Sequence, residues 1–341
     1  HLRIAVYTLI ALHAAIILGG FIAPYDYATQ YRDYPFVPPM TVHFIDAHGH
    51  FHFRPFLYWT EDPSAQASQA VGQIFPIKFF VPGPDYKIAG LLRARMHLFA
   101  VDEPGKIFLL GTDEYGRDQL SRLLAGGQIT LLAGFMAALL SIGLGLSFGL
   151  LAGYYGRLID ETVMRVAEIF MVLPWVYLLL AVKGSLPLSV SPSKSFLLVS
   201  LVIGILGWAR PARLIRGVVL SAKERNYVLA ARGFGASDLY ILRRHIFPQT
   251  IAVVLIQATL LLTTYSLSEM TLSFLGLGVS EPVPSWGNML ASLQKYNVLT
   301  SYWWMFAPAV PAIALFWGYY TVANGLQEST QLTAMNDDQR Q

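Results

Sequence analysis

A chain of 341 residues could form two soluble domains, but 55% of it is hydrophobic and only 13% charged, about half the charged share usual in soluble proteins. Its 24 basic and 21 acidic residues leave a net charge of +3, which is no electrostatic footprint for nucleic acid. The absence of cysteine excludes thiolate metal sites, redox pairs and disulfides, and the mean hydropathy of +0.48 excludes disorder and an ordinary soluble enzyme. The chain opens at His1 rather than Met, so a few native residues are expected to be missing ahead of it.

Charges are nearly absent from several long stretches, and these are read as membrane spans. A bilayer core about 30 Å thick needs roughly 20 mostly apolar residues of helix. Six segments qualify: Ile4 to Ala23, about 129–153, Val163 to Val182, the stretch after Lys194, the stretch between Arg244 and Glu269, and about 303–325. The fourth is free of charge only as far as Arg210, so Arg210 and Arg213 must snorkel to an interface. A signal peptide over 4–23, with Gly19 and Gly20 as the small residues, is the alternative reading, against which the apolar stretch is too long for an h-region. Between the fourth and fifth spans stand Arg210, Arg213, Arg216, Lys223, Arg225, Arg232, Arg243 and Arg244, against Glu224 and Asp238 alone. The positive-inside rule makes this segment cytoplasmic. Alternation then puts the N-terminus, the 154–162 loop and the C-terminal tail inside, and residues 24–128, 183–195 and 276–302 outside.

Residues 26–108 differ in composition, being rich in Pro, Tyr, Phe and His. Pro35, Pro38, Pro39, Pro55, Pro63, Pro76, Pro82 and Pro84 argue against long helices. Phe51 with Phe53, and Phe75 with Ile77 and Phe79, alternate as short strands do, with Pro76 confining the second to a sheet edge. A small, mostly β extracytoplasmic insertion is expected. Within it His48, His50 and His52 would share one face of a strand, and His43 lies close by in sequence. Nothing else fixes a metal-ligand set, so the expectation is a solvated hairpin face and no metal. Residues 109–128 read as an interfacial segment. Thr112 is placed to cap a short helix, with Asp113 and Glu114 at its positive end and Leu120, Leu123 and Leu124 as its apolar stripe.

In the basic segment Ser221 and Glu224 fit a capping box, giving a helix through about Arg232. Gly233 and Gly235 break it, and Ser237 with Asp238 offers a second N-cap for a helix of about 238–246, ahead of Pro248. Ala230, Ala231 and Gly235 leave little side chain and permit close approach of a partner. A polar, basic helix–Gly–helix between two spans is either a solvated loop or a docking element.

Residues Leu229 to Pro248 resemble the EAA loop of binding-protein-dependent ABC importers, in which Glu-Ala-Ala, three residues, Gly, nine residues and Ile-x-Leu-Pro follow one another. Ala230, Ala231, Gly235 and Pro248 stand at the matching spacing, while Leu229, His245 and Phe247 replace the Glu, Ile and Leu. The segments Leu110–Arg122 and Leu272–Gly278 are similar to hallmarks of the C-type permease subunit of dipeptide, oligopeptide and nickel importers. The resemblance covers most of 109–325; residues 24–108 resemble the enlarged outer segment of some oligopeptide-type members without a diagnostic motif.

The resemblance implies an all-α polytopic fold of six transmembrane helices, the type I importer permease fold, with the β insertion between helices 1 and 2. Transmembrane helix 1 would occupy 1–25, the insertion 26–108, the interfacial segment 109–128, the permease core 129–325 with a coupling helix at about 222–245, and a cytoplasmic tail 326–341. It implies a non-catalytic subunit of the bacterial inner membrane that forms half of a peptide pore. Its partners would be a paralogous permease subunit in a heterodimer, two cytoplasmic ATPases and an extracytoplasmic substrate-binding protein. Glu224, Tyr227, Val228, Ala230, Ala231, Arg232, Gly235, Ala236, Ser237 and Pro248 would form the ATPase-coupling element, with Tyr227, Val228 and Ala231 filling a groove. The chain lacks a Gly-x-x-x-x-Gly-Lys-Ser/Thr phosphate loop, so ATP and Mg would be held by the partner ATPases and this chain would carry no cofactor.

Two acids lie within expected spans, and an ionisable group at depth is a functional candidate. Glu269 either lines the pore or bonds Thr263, Ser266 or a neighbouring span. Glu168 stands three residues from Arg165, at the spacing of a local helix pair. Gly143, Gly145, Gly149 and Gly153 read as close helix packing. Two other classes compete: an ion-coupled secondary transporter, which would need Glu269 or Glu168 as its coupling site, and a membrane metalloenzyme built on His43, His48, His50 and His52.

Overall fold

A computed structural model of the chain describes residues 1–59, 73–88, 92–174, 177–178, 180–181 and 191–338. Helix α1 covers Leu2–Ile17 and a single turn, α2, covers Gly19–Ile22. The expected first span, Ile4 to Ala23, is therefore interrupted at Leu18. Among the described residues five strands come next: β1 (His43–Ile45), β2 (Phe51–Trp59), β3 (Gln73–Pro76), β4 (Lys78–Ile88) and β5 (Leu92–Ala100). Strands β1, β2 and β3 form one antiparallel sheet in that order, and β4 pairs antiparallel with β5. Pro76, which has no N–H to give a ladder, closes the edge strand β3.

The remaining elements are helical: α3 (Gln119–Tyr155), α4 (Arg157–Val172), α5 (Pro192–Gly207), α6 (Ala209–Ala222), α7 (Asn226–Gly233), α8 (Asp238–Ile241), α9 (Phe247–Phe274), α10 (Trp286–Ala291), α11 (Tyr296–Ser301) and α12 (Ala309–Asp338). Among the described residues four helical runs are long and apolar enough to cross a membrane: Gln119–Tyr155, Lys194–Ala222, Asp238–Phe274 and Trp303–Ser329. Helices α5 and α6 join through Trp208, whose backbone is itself helical. Helix α4 stops because Leu173 turns extended (ψ 124°), as a residue ahead of proline must. The expected third span, Val163 to Val182, is thus broken at Leu173–Pro174, and part of its remainder lies outside the described residues.

The chain divides into two compact units. The first comprises His1–Tyr7, Leu131–Glu269 and Leu315–Gln341. Its centre is the packing of α3 on α6. A Cβ on Gly145 would stand 2.6 Å from the Pro211 side chain, one on Gly149 2.7 Å from the Ala212 carbonyl, and one on Gly153 2.7 Å from Val219. These three glycines recur every four residues and so form one face. Only hydrogen lets the two backbones approach this closely, which is how helices gain contact where lipid removes the hydrophobic drive. Gly143, off that face, has nothing within 4 Å. The Ser141 hydroxyl donates to the Gly204 carbonyl at 2.7 Å and lies 2.8 Å from the Tyr265 hydroxyl, tying α3, α5 and α9 together. Helix α4 packs on α6 through Ala167, Trp208, Ala209 and Ala212.

Ion pairs seal the same contact. Arg216 makes a two-pronged pair with Asp160, its Nη2 donating to Oδ2 at 2.6 Å. Arg213 donates to Glu168 at 3.3 Å. The local Glu168–Arg165 pair expected from spacing does not form, because Arg165 bonds Glu161 at 2.5 Å, one helical turn away.

The second unit comprises Thr8–Thr130 and Met270–Ala314. Val37, Met40, Leu57, Trp59, Ile77, Phe99, Ile107 and Phe108 form its buried core. Residues 109–118 fold as turns, not as a helix capped by Thr112. Thr112 is completely buried; its hydroxyl donates to the Tyr34 carbonyl at 2.7 Å and accepts from Val37 N at 2.8 Å. Two hydrogen bonds to the turn around Tyr34 and Val37 outcompete a local cap. Asp118 instead heads α3, accepting from the Ser121 amide at 2.8 Å and the Ser121 hydroxyl at 2.6 Å. Gly116 is needed at φ +72°, since a Cβ there would collide with the Tyr31 carbonyl.

The histidine tract is a turn entering β2. Asp46 accepts from the amides of His48 and His50, at 2.9 Å each, and lies 3.1 Å from His52 Nε2 and 3.3 Å from His50 Nδ1. These bonds, His52's foremost, hold the Asp46 carboxyl below the usual range. His48 and His50 precede the strand, so the three histidines do not share one strand face as alternation suggested. Among the described residues no group of three such side chains is arranged to hold a metal ion.

Candidate functional site: coupling element and cavity

The segment between α6 and α9 is a protruding element fastened to its own unit. Helix α6 runs to Ala222, so Ser221 lies in its last turn and the expected Ser221–Glu224 capping box does not form; Arg225 occupies the N-cap of α7 without a side-chain bond. The continuous burial of Ile215, Val219 and Ala222 carries α6 past the local signal. Gly235 takes φ +83°, the left-handed turn that lets the chain double back at little cost. Ser237 then caps α8, its hydroxyl accepting from Tyr240 N at 3.4 Å. A π-helical stretch over Leu242–Ile246 carries α8 into α9. It lies directly ahead of Pro248, whose ring and missing N–H disrupt the ordinary ladder at that point.

Its inner face is fixed by Val228, Ile241 and Ile246, all completely buried with Tyr154, Ile215 and Val219. The Tyr154 hydroxyl donates to Asp238 Oδ1 at 2.6 Å and accepts from Arg232 Nη2 at 3.3 Å. Lys223 Nζ donates to the Gly153 carbonyl at 3.0 Å. The outer face presents Tyr227, Leu229, Ala230, Phe234, Leu239 and Tyr240, and Arg232, though exposed, is turned to Tyr154. Of the residues singled out from sequence, Glu224, Gly235, Ser237 and Pro248 are also exposed, while Ala231 and Ala236 are half-buried. Val228 is corrected from an outward groove-filler to an internal anchor. Sequence reasoning missed Phe234, 93% exposed, and Leu239, 73% exposed. The available signal was a large aromatic held between Gly233 and Gly235, where no helix face could bury it.

The first unit also holds a cavity of about 640 Å³ between α4, α5, α6 and α9. Phe170, Met171 and Leu261 supply apolar wall, and Arg210, Gln257, Thr264 and Ser268 supply polar groups. Glu269 is completely buried and is not among the residues lining it, unlike the neighbouring Ser268. Glu168 is exposed and paired with Arg213. The structure does not bring the two acids together.

In the second unit the motif segment around 110–122 is tied by a charge network to Glu281, three residues beyond the segment 272–278. Arg117 donates to Asp113 Oδ2 at 2.7 Å and to Glu281 Oε2 at 2.6 Å, and Arg122 to Glu281 Oε1 at 2.9 Å. Burial alone would depress the Arg117 pKa, but Asp113 and Glu281 outweigh it and raise it. Glu281 was also missed; the signal was its being the one acid between Glu269 and Glu328.

Long apolar helices, a glycine-packed bundle and a tethered basic element between two of those helices define a polytopic membrane subunit. Residues 145–330, more than half of the chain, match the family described as binding-protein-dependent transport system inner membrane component, and the chain belongs to that family. It is 37% identical over 220 residues to the dipeptide transport system permease protein DppC of Bacillus subtilis (strain 168), covering 64% of this chain and 67% of that protein. It is 33% identical over 246 residues to the oligopeptide transport system permease protein OppC of the same organism, covering 72% and 76%. The di/tripeptide transport system permease protein DppC of Pseudomonas aeruginosa (strain UCBPP-PA14) is 38% identical over 200 residues, covering 58% and 63%. The chain is thus the permease component of an ABC importer, a non-catalytic, multi-pass inner-membrane subunit that works with ATPase and substrate-binding partners.

Proposed function

We propose that this chain forms half of a translocation pore for di- or oligopeptides, completed by a paralogous permease subunit. Two cytoplasmic ATPases, holding ATP and Mg, drive it through residues 222–245, and an extracytoplasmic binding protein delivers the cargo. The peptide assignment rests on the relatives named above. In this reading six helices cross the membrane, Leu2–Ile17 and the Arg157–Val172 region joining the four long runs, with both termini cytoplasmic and 26–108 outside.

The observation that carries the coupling role is the division of the element into two faces. Tyr154, Asp238, Arg232 and the Val228–Ile241–Ile246 cluster bind the inner face to α3 and α6. The outer face leaves Tyr227, Phe234 and Leu239 exposed beside Arg225. A force on such an outer face reaches the bundle without being lost in a loop. Exposed aromatics rimmed by arginine are the composition of interface anchors.

Phe234→Asp tests this without touching the inner face. Loss of such an anchor weakens binding by at least about tenfold, so co-purification with the ATPase subunits should fall accordingly while membrane insertion persists. Deleting Gly233–Asp238 should abolish it. ATPase capture at the wild-type level by the deletion variant would refute the coupling role.

A further inference from the structure

The arginines along the Lys194–Ala222 helix are not equivalent. Arg216 pairs with Asp160 and Arg213 with Glu168. Arg210, one turn earlier, has no carboxylate within 4.0 Å among the described residues, although its side chain is exposed and lines the cavity between α4, α5, α6 and α9. At 1.5 Å per residue it stands about 24 Å along the helix from Lys194, close to the far edge of a hydrocarbon core about 30 Å thick. An arginine there, facing a cavity and without a carboxylate partner, is satisfied by water or by an anion that enters the cavity.

Helix α9 lines the same cavity with complementary chemistry. Thr264 and Ser268 lie four residues apart on α9, and each spends its hydroxyl proton on its own helix: Thr264 on the Leu260 carbonyl at 2.9 Å, Ser268 on the Thr264 carbonyl at 2.8 Å. Their oxygens therefore meet the cavity as acceptors only, while the guanidinium is a donor only. Phe170 and Met171 line the same cavity, apolar and without directional demand. Tyr265 braces this wall through its contact with Ser141. A cavity of about 640 Å³ is within the range that holds a small organic ligand.

We infer that this cavity is a transit subsite for short zwitterionic peptides: Arg210 takes the C-terminal carboxylate, the Thr264 and Ser268 oxygens accept from the N-terminal ammonium, and the apolar wall admits varied side chains. The assignment rests on the peptide-permease reading and adds to it a recognition group inside the membrane. It makes the chain itself selective for a free carboxylate after the binding protein has let go.

The test uses the whole transporter in proteoliposomes, with labelled trialanine as the probe. A charge-assisted hydrogen bond lost to a buried partner lowers binding by about tenfold or more, so Arg210→Gln should reduce the kcat/KM of uptake by that factor, and Arg210→Lys should restore most of it. The chain contains no cysteine, so Arg210→Cys gives it a single thiol that can be modified after assembly. A cationic aminoethyl methanethiosulfonate should restore uptake, the anionic sulfonatoethyl reagent should not, and trialanine should slow both reactions. Equal uptake by wild type and Arg210→Gln overturns the subsite alone. So does a thiol in the Arg210→Cys variant that fails to react, which would mean that a partner subunit fills the cavity, or an equal effect of the two reagents. A wild-type complex that moves no peptide at all overturns the peptide reading, and this inference with it.

Discussion

Asp118 shows what burial does to a single group. It is 2% exposed and heads α3, bonded through Oδ2 to the amide and hydroxyl of Ser121. Burial pushes its pKa from 3.8 up to about 7, against the lowering effect of the Ser121 bonds; Asp113 adds to the rise. The folded chain therefore binds a proton between these two values that the unfolded chain has released. Stability should fall as pH climbs from about 4 to about 7 and level off above, since stability declines wherever the native state holds more protons. Each pKa unit corresponds to about 1.4 kcal/mol, so the loss is on the order of a few kcal/mol. Asn keeps an acceptor for the cap but does not titrate. Thermal unfolding of Asp118→Asn in detergent should lose this slope, and an unchanged slope would assign it to other groups.

Among the elements, the contact of α3 with α6 is where sequence and structure agree most closely. Gly145, Gly149 and Gly153 carry the pattern in their spacing alone, because a four-residue repeat of hydrogens can only mean backbone approach on one helix face. Gly149→Val would press a side chain on the Ala212 carbonyl, 2.7 Å from the new Cβ, and backbone cannot yield as a side-chain tip can. Overpacking of this kind costs about 1–3 kcal/mol. Gly143→Val places the same residue in the same helix with nothing within 4 Å, so the propensity change cancels in the comparison. The Gly149 variant should melt below the Gly143 variant; equal melting temperatures would mean that the two helices can part without cost. Other elements were not legible. The Ser221–Glu224 box is a sound local signal overruled by the burial of Ile215, Val219 and Ala222, and Thr112 forgoes a cap for two long-range bonds to Tyr34 and Val37. Val228 looked outward only because the inner surface it meets, from Tyr154 to Ile246, is assembled from distant parts of the chain.

At the scale of the whole chain, charge-free runs located the long helices well, because exclusion of charge is a property of the segment itself. Where a span breaks is set instead by single residues, as at Leu18 and at Leu173–Pro174, and how many arginines find partners is set by packing. Sidedness is a further property that helix length does not determine; the proposed orientation rests on the basic residues of 210–244. Those residues border the element bearing Phe234, while Phe53, also 93% exposed, lies in β2. With no native cysteine in the chain, Phe53→Cys and Phe234→Cys each give one exposed thiol. A membrane-impermeant maleimide applied to spheroplasts of a Gram-negative host should label the Phe53→Cys variant in intact cells and the Phe234→Cys variant only after lysis. ATPases confined to the cytoplasm cannot grip an element on the other side, so labelling of Phe234→Cys in intact spheroplasts would remove the coupling mechanism while leaving family membership untouched.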